Sequence, residues 1–518
     1  MGENNKRRLS DNGHQRSKKH QSSSSPSSAR TPTRSTSISH ARFNNPSPEP
    51  SRSKTPHFVS YLDFPNLPFK IKLLCEIIAN ASSIDLEIVL EETGVQVSRE
   101  DVEDVLKLSY KFPGSSMKFF RWSGRKLNDQ HSPYAWNLIV DMLGKNLHFE
   151  PMWDAMKSMK NEGLISLATF ASVFSSYIVA NRVKDAIVSF EVMDLYGCPR
   201  DVVALNSLLS AICRDGNTKD ADEFLQIAKG KIRPDPDSYA IVLEGWESEG
   251  NIVCARQTFV EMIEQIGWDP TNTPAYNSFL CLLLKDPNGL HEALMFFKRL
   301  KDKMCYPGFK FFKLALDECA KNRDVKAGKY LWNEIIESIN FQPDTHMYNS
   351  MIVLCCHQND ADAARRLLDE MISYGAFPNL ETYNLLFRFL LKEKKLREAS
   401  SIFDEMVKNE FVPSHANCKA AVRIYIENED PNGAIKVWKC MVKIYESDLE
   451  EIGNFLIVGL QDQRRLPEAV KYANEMIDRG HIQEKCNTVI VFSCPVIDFG
   501  RSGISSFRDE MSRGMGEV

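Results

Sequence analysis

An Asn stands at Asn349, Asn384 and Asn454, each 35 residues or a multiple of 35 from the last, and the beat runs back through Asn277, Asn206 and Asn137. Around it other columns keep phase. An aromatic or apolar residue precedes it (Trp136, Leu205, Tyr276, Tyr348, Tyr383), a small residue follows fifteen places on (Ala221, Ala364, Ala399, Ala469), and a Met often follows at plus 22 (Met159, Met371, Met406, Met476). Columns of this kind do not arise from composition. They mark an array whose units cannot bury an apolar face alone and must share stability along a stack.

Anchored on this position, ten consecutive units carry Asn137, Ala171, Asn206, Ala240, Asn277, Lys313, Asn349, Asn384, Lys419 and Asn454, at spacings of 34 to 37. Each unit holds two segments with apolar residues three and four apart, as in TYNLLFRFLLKE and REASSIFDEMVKN, so each is read as a pair of amphipathic helices. The fold class expected is all-α. The Ala column lets the two helices approach closely, and the Met column fills the gap between layers.

Units end on a Pro followed by a short polar residue: Pro234-Asp235, Pro343-Asp344, Pro378-Asn379 and Pro413-Ser414, with Pro270 and Pro307 on the same beat. Pro is expected to stop the second helix because it lacks the N–H that a helix interior needs. The polar residue after it is placed to cap the next first helix by accepting from an otherwise unpaired backbone N–H. Capping alone accounts for this column, so it is not by itself a sign of a ligand.

Residues 1–56 are of another kind, with fourteen Ser, eleven Lys or Arg against three acids, six Pro and almost no large apolar side chain. Such a segment cannot bury enough surface to fold and is expected to be a disordered basic tail. Beyond it stand 53 basic and 66 acidic residues, so the body carries about −13 and the tail +8. An acidic body argues against indiscriminate nucleic-acid binding, although a repeat stack can carry different charge on its two faces. The tail is similar to an organelle transit peptide, with mitochondrion as the expected compartment and plastid, nucleus or cytosol as alternatives. No apolar run approaches the ~18 residues needed to cross a bilayer. Thirteen Cys without a CxxC pair read as small apolar fillers in a reducing compartment, with no metal site and no cofactor.

With a unit written out, as in LETYNLLFRFLLKEKKLREASSIFDEMVKNEFVPS, residues 132–484 resemble a pentatricopeptide repeat protein of the P-class, plant organellar type. The Trp, Leu-Gly and Tyr set of the tetratricopeptide repeat is missing. SSMKFFRWSGR, at 115–125, looks like the segment that precedes such arrays, within a helical capping region expected over 57–131. The resemblance implies a right-handed superhelical solenoid of about ten helix-turn-helix repeats. It also implies reading of single-stranded RNA at one base per repeat, through the anchor and the last residue of the repeat. Carried over, Asn206 with Asp235 resembles a uridine-preferring pair, and Asn349 with Asn379 and Asn384 with Ser414 resemble pyrimidine-preferring ones. Asn137 with Ser166 joins them, Asn277 with Gly308 is incomplete, and Asn454 is a further reader, so the partner implied is pyrimidine-biased RNA, with RNA-processing proteins beside it. Lys313, Lys419, Ala171 and Ala240 depart from the pattern and are expected only to space the bases.

Eight places after the anchor stand Lys145, Arg214, Lys285, Lys321 and Lys392, with His357 in the same column, where cations could meet phosphates. Helix C-termini also favour cations through the dipole, which is the plain alternative. Three places before the anchor, where the family prefers an apolar wedge, this chain has Val203 but also Asp237, Lys310, Glu381 and Glu451. The Asn column is expected to face a groove, so Ala at 206, 349 and 384 should leave the melting temperature nearly unchanged. Catalysis is not expected: His148-Phe149-Glu150 is the one H-x-E, it lies inside the first repeat without a CxxC, and no GxxxxGK, G-x-S-x-G or HExxH occurs. The function expected is occupancy of a short stretch of an organellar transcript, serving processing, stabilisation, splicing or translation. The contrasting expectation is a protein-binding scaffold without RNA recognition. The segment 485–518 breaks the pattern and is expected to be an irregular tail.

Overall fold

Residues 58–82, 85–339 and 341–479 are described by a computed structural model, the side chains of 338 and 339 excepted. The tails expected over 1–56 and 485–518, and the last residues of the array, lie outside them. Twenty-four α-helices and no strand occur among the described residues. Four precede the repeats: α1 (Phe69–Asn80), α2 (Leu86–Glu92), α3 (Arg99–Leu108) and α4 (Pro113–Lys126), with α3 and α4 packed on the first repeat helix.

The repeats then alternate. First helices are α5 (Pro133–Lys145), α7 (Leu167–Val179), α9 (Val202–Arg214), α11 (Pro236–Glu249), α13 (Thr273–Leu283), α15 (Phe309–Asn322), α17 (Thr345–His357), α19 (Leu380–Lys392), α21 (His415–Glu427) and α23 (Glu450–Asp462). Second helices are α6 (Phe149–Asn161), α8 (Val183–Glu191), α10 (Thr218–Ala228), α12 (Ile252–Gln265), α14 (Gly289–Asp302), α16 (Val325–Asn333), α18 (Ala361–Ser373), α20 (Leu396–Lys408), α22 (Pro431–Ile444) and α24 (Leu466–Asp478). Each first helix packs on its own second helix and on the first helix of the next unit. The first helices therefore form one continuous layer, and equivalent positions on them recur along one face.

Local chemistry sets these boundaries. The side chains of Asp235, Asp344, Asn379 and Ser414 accept from the N–H groups of Ser238, Met347, Thr382 and Asn417 at 2.8, 2.9, 2.9 and 3.3 Å, so the expected caps form. The expected stop differs. Several second helices end before the Pro, at a residue in the left-handed conformation such as Gly375 (φ 79°) or Glu410 (φ 60°), and after Gly375 the Ala376 N–H donates to Met371 O at 2.9 Å. This closure satisfies the last carbonyls, and the Pro only sets the path into the next cap. One second helix is irregular, α16 continuing as a π-helical turn over Glu334–Ile339.

The small-residue and Met columns lie in the core. Ala186, Ala221, Ala255, Ala364, Ala399, Ala434 and Ala469 are buried, as are Met159, Met371, Met406 and Met476.

Candidate nucleic-acid interface

All ten anchors stand five residues after the residue that caps their helix, as Asn206 follows Asp201 and Asn384 follows Asn379. That places them one turn in, level with the start of the next unit's first helix. Five of the six Asn anchors use the side-chain oxygen there. Asn137 Oδ1 accepts from Thr169 Oγ1 at 2.7 Å, Asn206 Oδ1 from Ser238 Oγ at 2.6 Å, and Asn349 Oδ1 from Thr382 Oγ1 at 2.6 Å. Asn277 Oδ1 accepts from Phe311 N–H at 3.1 Å, and Asn384 Oδ1 from Asn417 Nδ2 at 2.8 Å and Ser414 N–H at 3.2 Å.

Because backbone N–H groups can only donate, the atom facing Phe311 and Ser414 must be the oxygen, and the amide nitrogen turns the other way. Where it has a partner, it meets the second residue of the pair or its own helix. Asn206 Nδ2 donates to Asp235 Oδ1 at 3.0 Å, Asn349 Nδ2 to Asn379 Oδ1 at 3.4 Å and Glu381 Oε2 at 3.3 Å, and Asn384 Nδ2 to Leu380 O at 2.9 Å.

The structure thus brings together the residues that the sequence pairs. Asn206 meets Asp235, Asn349 meets Asn379, and Asn384 meets the Ser414 backbone, while Asn137 and Ser166 share the Thr169 hydroxyl. At Gly308 a Cβ would stand 3.1 Å from Asn277 Oδ1, so this pair touches through backbone alone. Asn454 differs, for its Oδ1 is sealed from solvent and has no partner among the described residues. Lys313, although not an Asn, still reaches the next cap, its Nζ lying 2.9 Å from Asp344 Oδ2. Ala171 and Ala240 have no side chain for this bond.

One expectation about the column is corrected. The sequence expects it to face a groove without bearing on stability, but Asn349 is only 4% exposed and the other anchor Asn residues are half-buried, and all of them except Asn454 are clamped between two units. The column is structural as well as presented, with one amide face turned to each task.

The cation column divides. Lys145 is paired with Asp141 at 2.7 Å and Lys321 with Glu318 at 2.6 Å, and Lys285 Nζ donates to Glu247 O at 2.5 Å. Arg214 and Lys392 are exposed, with no hydrogen bond or ion pair among the described residues. Burial, helped by nearby Arg323, holds His357 below the usual histidine range, so it is neutral at pH 7 and adds no charge to this column.

Two groups were missed by the sequence reading. The first is the residue two before the anchor (Thr169, Ser238, Thr382, Asn417), which clamps the preceding Asn; its signal was the third residue after each cap. The second lies four places after the anchor, where Ser175, Ser210 and Arg388 point to the face of the layer. Two clefts open there. One, of about 620 Å³, is lined by Asn379, Glu381, Asn384, Arg388, Ser414 and Asn417, and the other, of about 350 Å³, by Ala171, Ser175, Ser207, Ser210, Arg214 and Asp215. Arg388 is exposed and, like Arg214, has no hydrogen bond or ion pair among the described residues. No helix among the described residues is long and apolar enough to cross a membrane, and no three His, Cys, Asp or Glu side chains gather there in a way that could hold a metal.

The pattern of the PPR repeat family matches residues 343–390, and the single PPR repeat matches 203–231 and 381–411. A mitochondrial pentatricopeptide repeat-containing protein of Arabidopsis thaliana is 31% identical over 193 residues, 37% of this chain and 37% of that protein. A second such protein is 26% identical over 402 residues, 76% of this chain and 68% of its own. The Arabidopsis small ribosomal subunit protein mL103 is 25% identical over 338 residues, covering 63% and 80%. The chain therefore spans little more than a third of the length of the first of these relatives. Among solved structures, the pentatricopeptide repeat protein PPR10 from maize aligns with a TM-score of 0.36 and 16% identity over 80% of this chain and 69% of its own.

Proposed function

Since the chain belongs to the pentatricopeptide repeat family, we propose that the shared face of its first helices binds single-stranded RNA and reads pyrimidines. The observation that carries this reading is the anchor clamp. In the units of Asn137, Asn206, Asn277, Asn349 and Asn384 the Asn oxygen is held by the next unit, so the amide nitrogen is turned in a fixed direction, and at Asn206 and Asn349 it meets the second residue of the pair. An amide N–H suits the O2 acceptor common to uracil and cytosine. The second residue then chooses between them. Asp235 can only accept, so it suits the N3–H of uracil and repels the N3 lone pair of cytosine, whereas Asn379 and Ser414 can serve either base. Exposed Arg214, Arg388 and Lys392 would neutralise phosphate.

In this reading Asn137 with Ser166, Asn206 with Asp235, Asn349 with Asn379 and Asn384 with Ser414 are the readers, and the protein acts as a P-class member by occupying a transcript. Mitochondria are the proposed compartment, supported by the mitochondrial names of relatives and by the basic, acid-poor first 56 residues. The test is selection of the full chain on a randomised single-stranded RNA pool at two salt concentrations, beside the Asp235→Asn variant. Asn caps a helix as well as Asp, so the fold is retained. A pyrimidine-rich motif is expected, with one uridine whose preference over cytidine falls about tenfold in the variant. Absent or unselective binding would instead favour a scaffold that takes a peptide on this face.

A further inference from the structure

We infer that Arg323, His357 and Lys392, from three consecutive units, form one site for a phosphate of the bound RNA, and that filling this site draws a proton onto His357; this rests on the RNA-binding reading above. The three stand at the same level of neighbouring first helices. Arg323 caps the C-terminus of α15, and His357 and Lys392 are the last residues of α17 and α19. α17 packs on both of the other helices, so His357 lies between the two cations. All three residues are exposed, and neither cationic side chain has a hydrogen bond or ion pair among the described residues. Lys321, two residues before Arg323, is paired with Glu318 at 2.6 Å, so Arg323 is the cation that the end of α15 offers. Helix dipoles do not account for this row, since they favour a cation at every C-terminus, yet α11, α21 and α23 end on Glu249, Glu427 and Asp462.

The surroundings of His357 decide what an anion does there. From α15 it faces Arg323 and the Ala320 carbonyl, and from α19 it faces Lys392. Next to it on α17, Gln358 is held by Lys329 of α16, whose Nζ lies 2.9 Å from Oε1. Both charges that act on the ring are positive, and no carboxylate acts on it among the described residues. The free ring is therefore kept neutral, with one nitrogen able only to accept. A phosphate bridging Arg323 and Lys392 offsets their repulsion and adds an attraction of its own, so the charged ring becomes the favoured form and gives the phosphate a third donor. The bound state then holds more protons than the free state. Affinity must rise as pH falls through the range in which His357 titrates.

The experiment measures the Kd of the full chain for the RNA that it enriches, from about pH 8 down to pH 6 at fixed salt, beside His357→Gln and His357→Lys. His357 is exposed at a helix end, so neither change disturbs the core. The unsubstituted chain should bind about fivefold more tightly at the acid end of this range. His357→Gln should lose that gain and stay near its alkaline affinity, while His357→Lys should keep the tighter affinity throughout, because its charge does not change over this range. Calorimetric titrations near pH 7 in buffers of different ionisation heat should show proton uptake on binding by the unsubstituted chain and less by His357→Gln. The same pH dependence in the unsubstituted chain and in His357→Gln would overturn the site and leave RNA reading standing. Failure to enrich any RNA removes both.

Discussion

Asn206 shows how one side chain serves two roles. Its oxygen accepts from Ser238 at 2.6 Å and its nitrogen donates to Asp235 at 3.0 Å, so it joins two units while presenting its remaining amide hydrogen. Replacing Asn206 or Asn349 by Ala should therefore lower stability by about 1–3 kcal/mol each, because a partner next to the buried Ser238 or Thr382 hydroxyl is lost. Asn454→Ala should change it by less than about 0.5 kcal/mol, since Asn454 Oδ1 has no partner to lose among the described residues. Thermal melts of the three variants check this, and equal midpoints for all three would show that the clamp carries no stability. The residue types in this column were legible from the chain alone, and their pairing with the caps was implied by the family resemblance. Their burial was not, because it depends on how closely the next unit's first turn approaches.

Between elements, close approach is decided by a few glycines. Gly245 on α11 faces Thr218 at the start of α10, and a Cβ there would lie 2.4 Å from Thr218 Oγ1 and 2.7 Å from Cγ2. Gly245→Ala should cost about 1–3 kcal/mol by overpacking, and adding Thr218→Ala should return part of that loss by removing both clashing atoms. Strictly additive losses in the double variant, measured by denaturant melts, would mean that the clash is not the cause. The helices themselves were plain in the sequence, since apolar spacing and cap residues are local signals. The left-handed closures at Glu410 and Arg323 and the π-helical turn in α16 were not, for neither Glu nor Arg advertises a positive φ.

At the scale of the molecule, many small apolar groups are sealed in one continuous core, thiols among them. Burial pushes Cys213, Cys281, Cys319 and Cys418 from 9.0 up to about 12. The folded chain keeps these protons where the unfolded chain releases them, so their contribution is complete below pH 9 and falls as pH rises towards about 12. The melting midpoint should accordingly fall steeply above about pH 9, and a midpoint flat to about pH 11 would contradict sealed thiols. The sequence by itself determined the array, its period, its helices and its caps, because those follow from periodicity and from capping chemistry within a few residues, while the pairs that meet between units were implied by the resemblance to the repeat family. Only the tertiary structure decided which cations are free, which are tied, and where the face opens into clefts. Those outcomes depend on side chains that meet across layers, as Lys310 and Glu247 do over 63 residues of chain, and no local pattern records such a meeting.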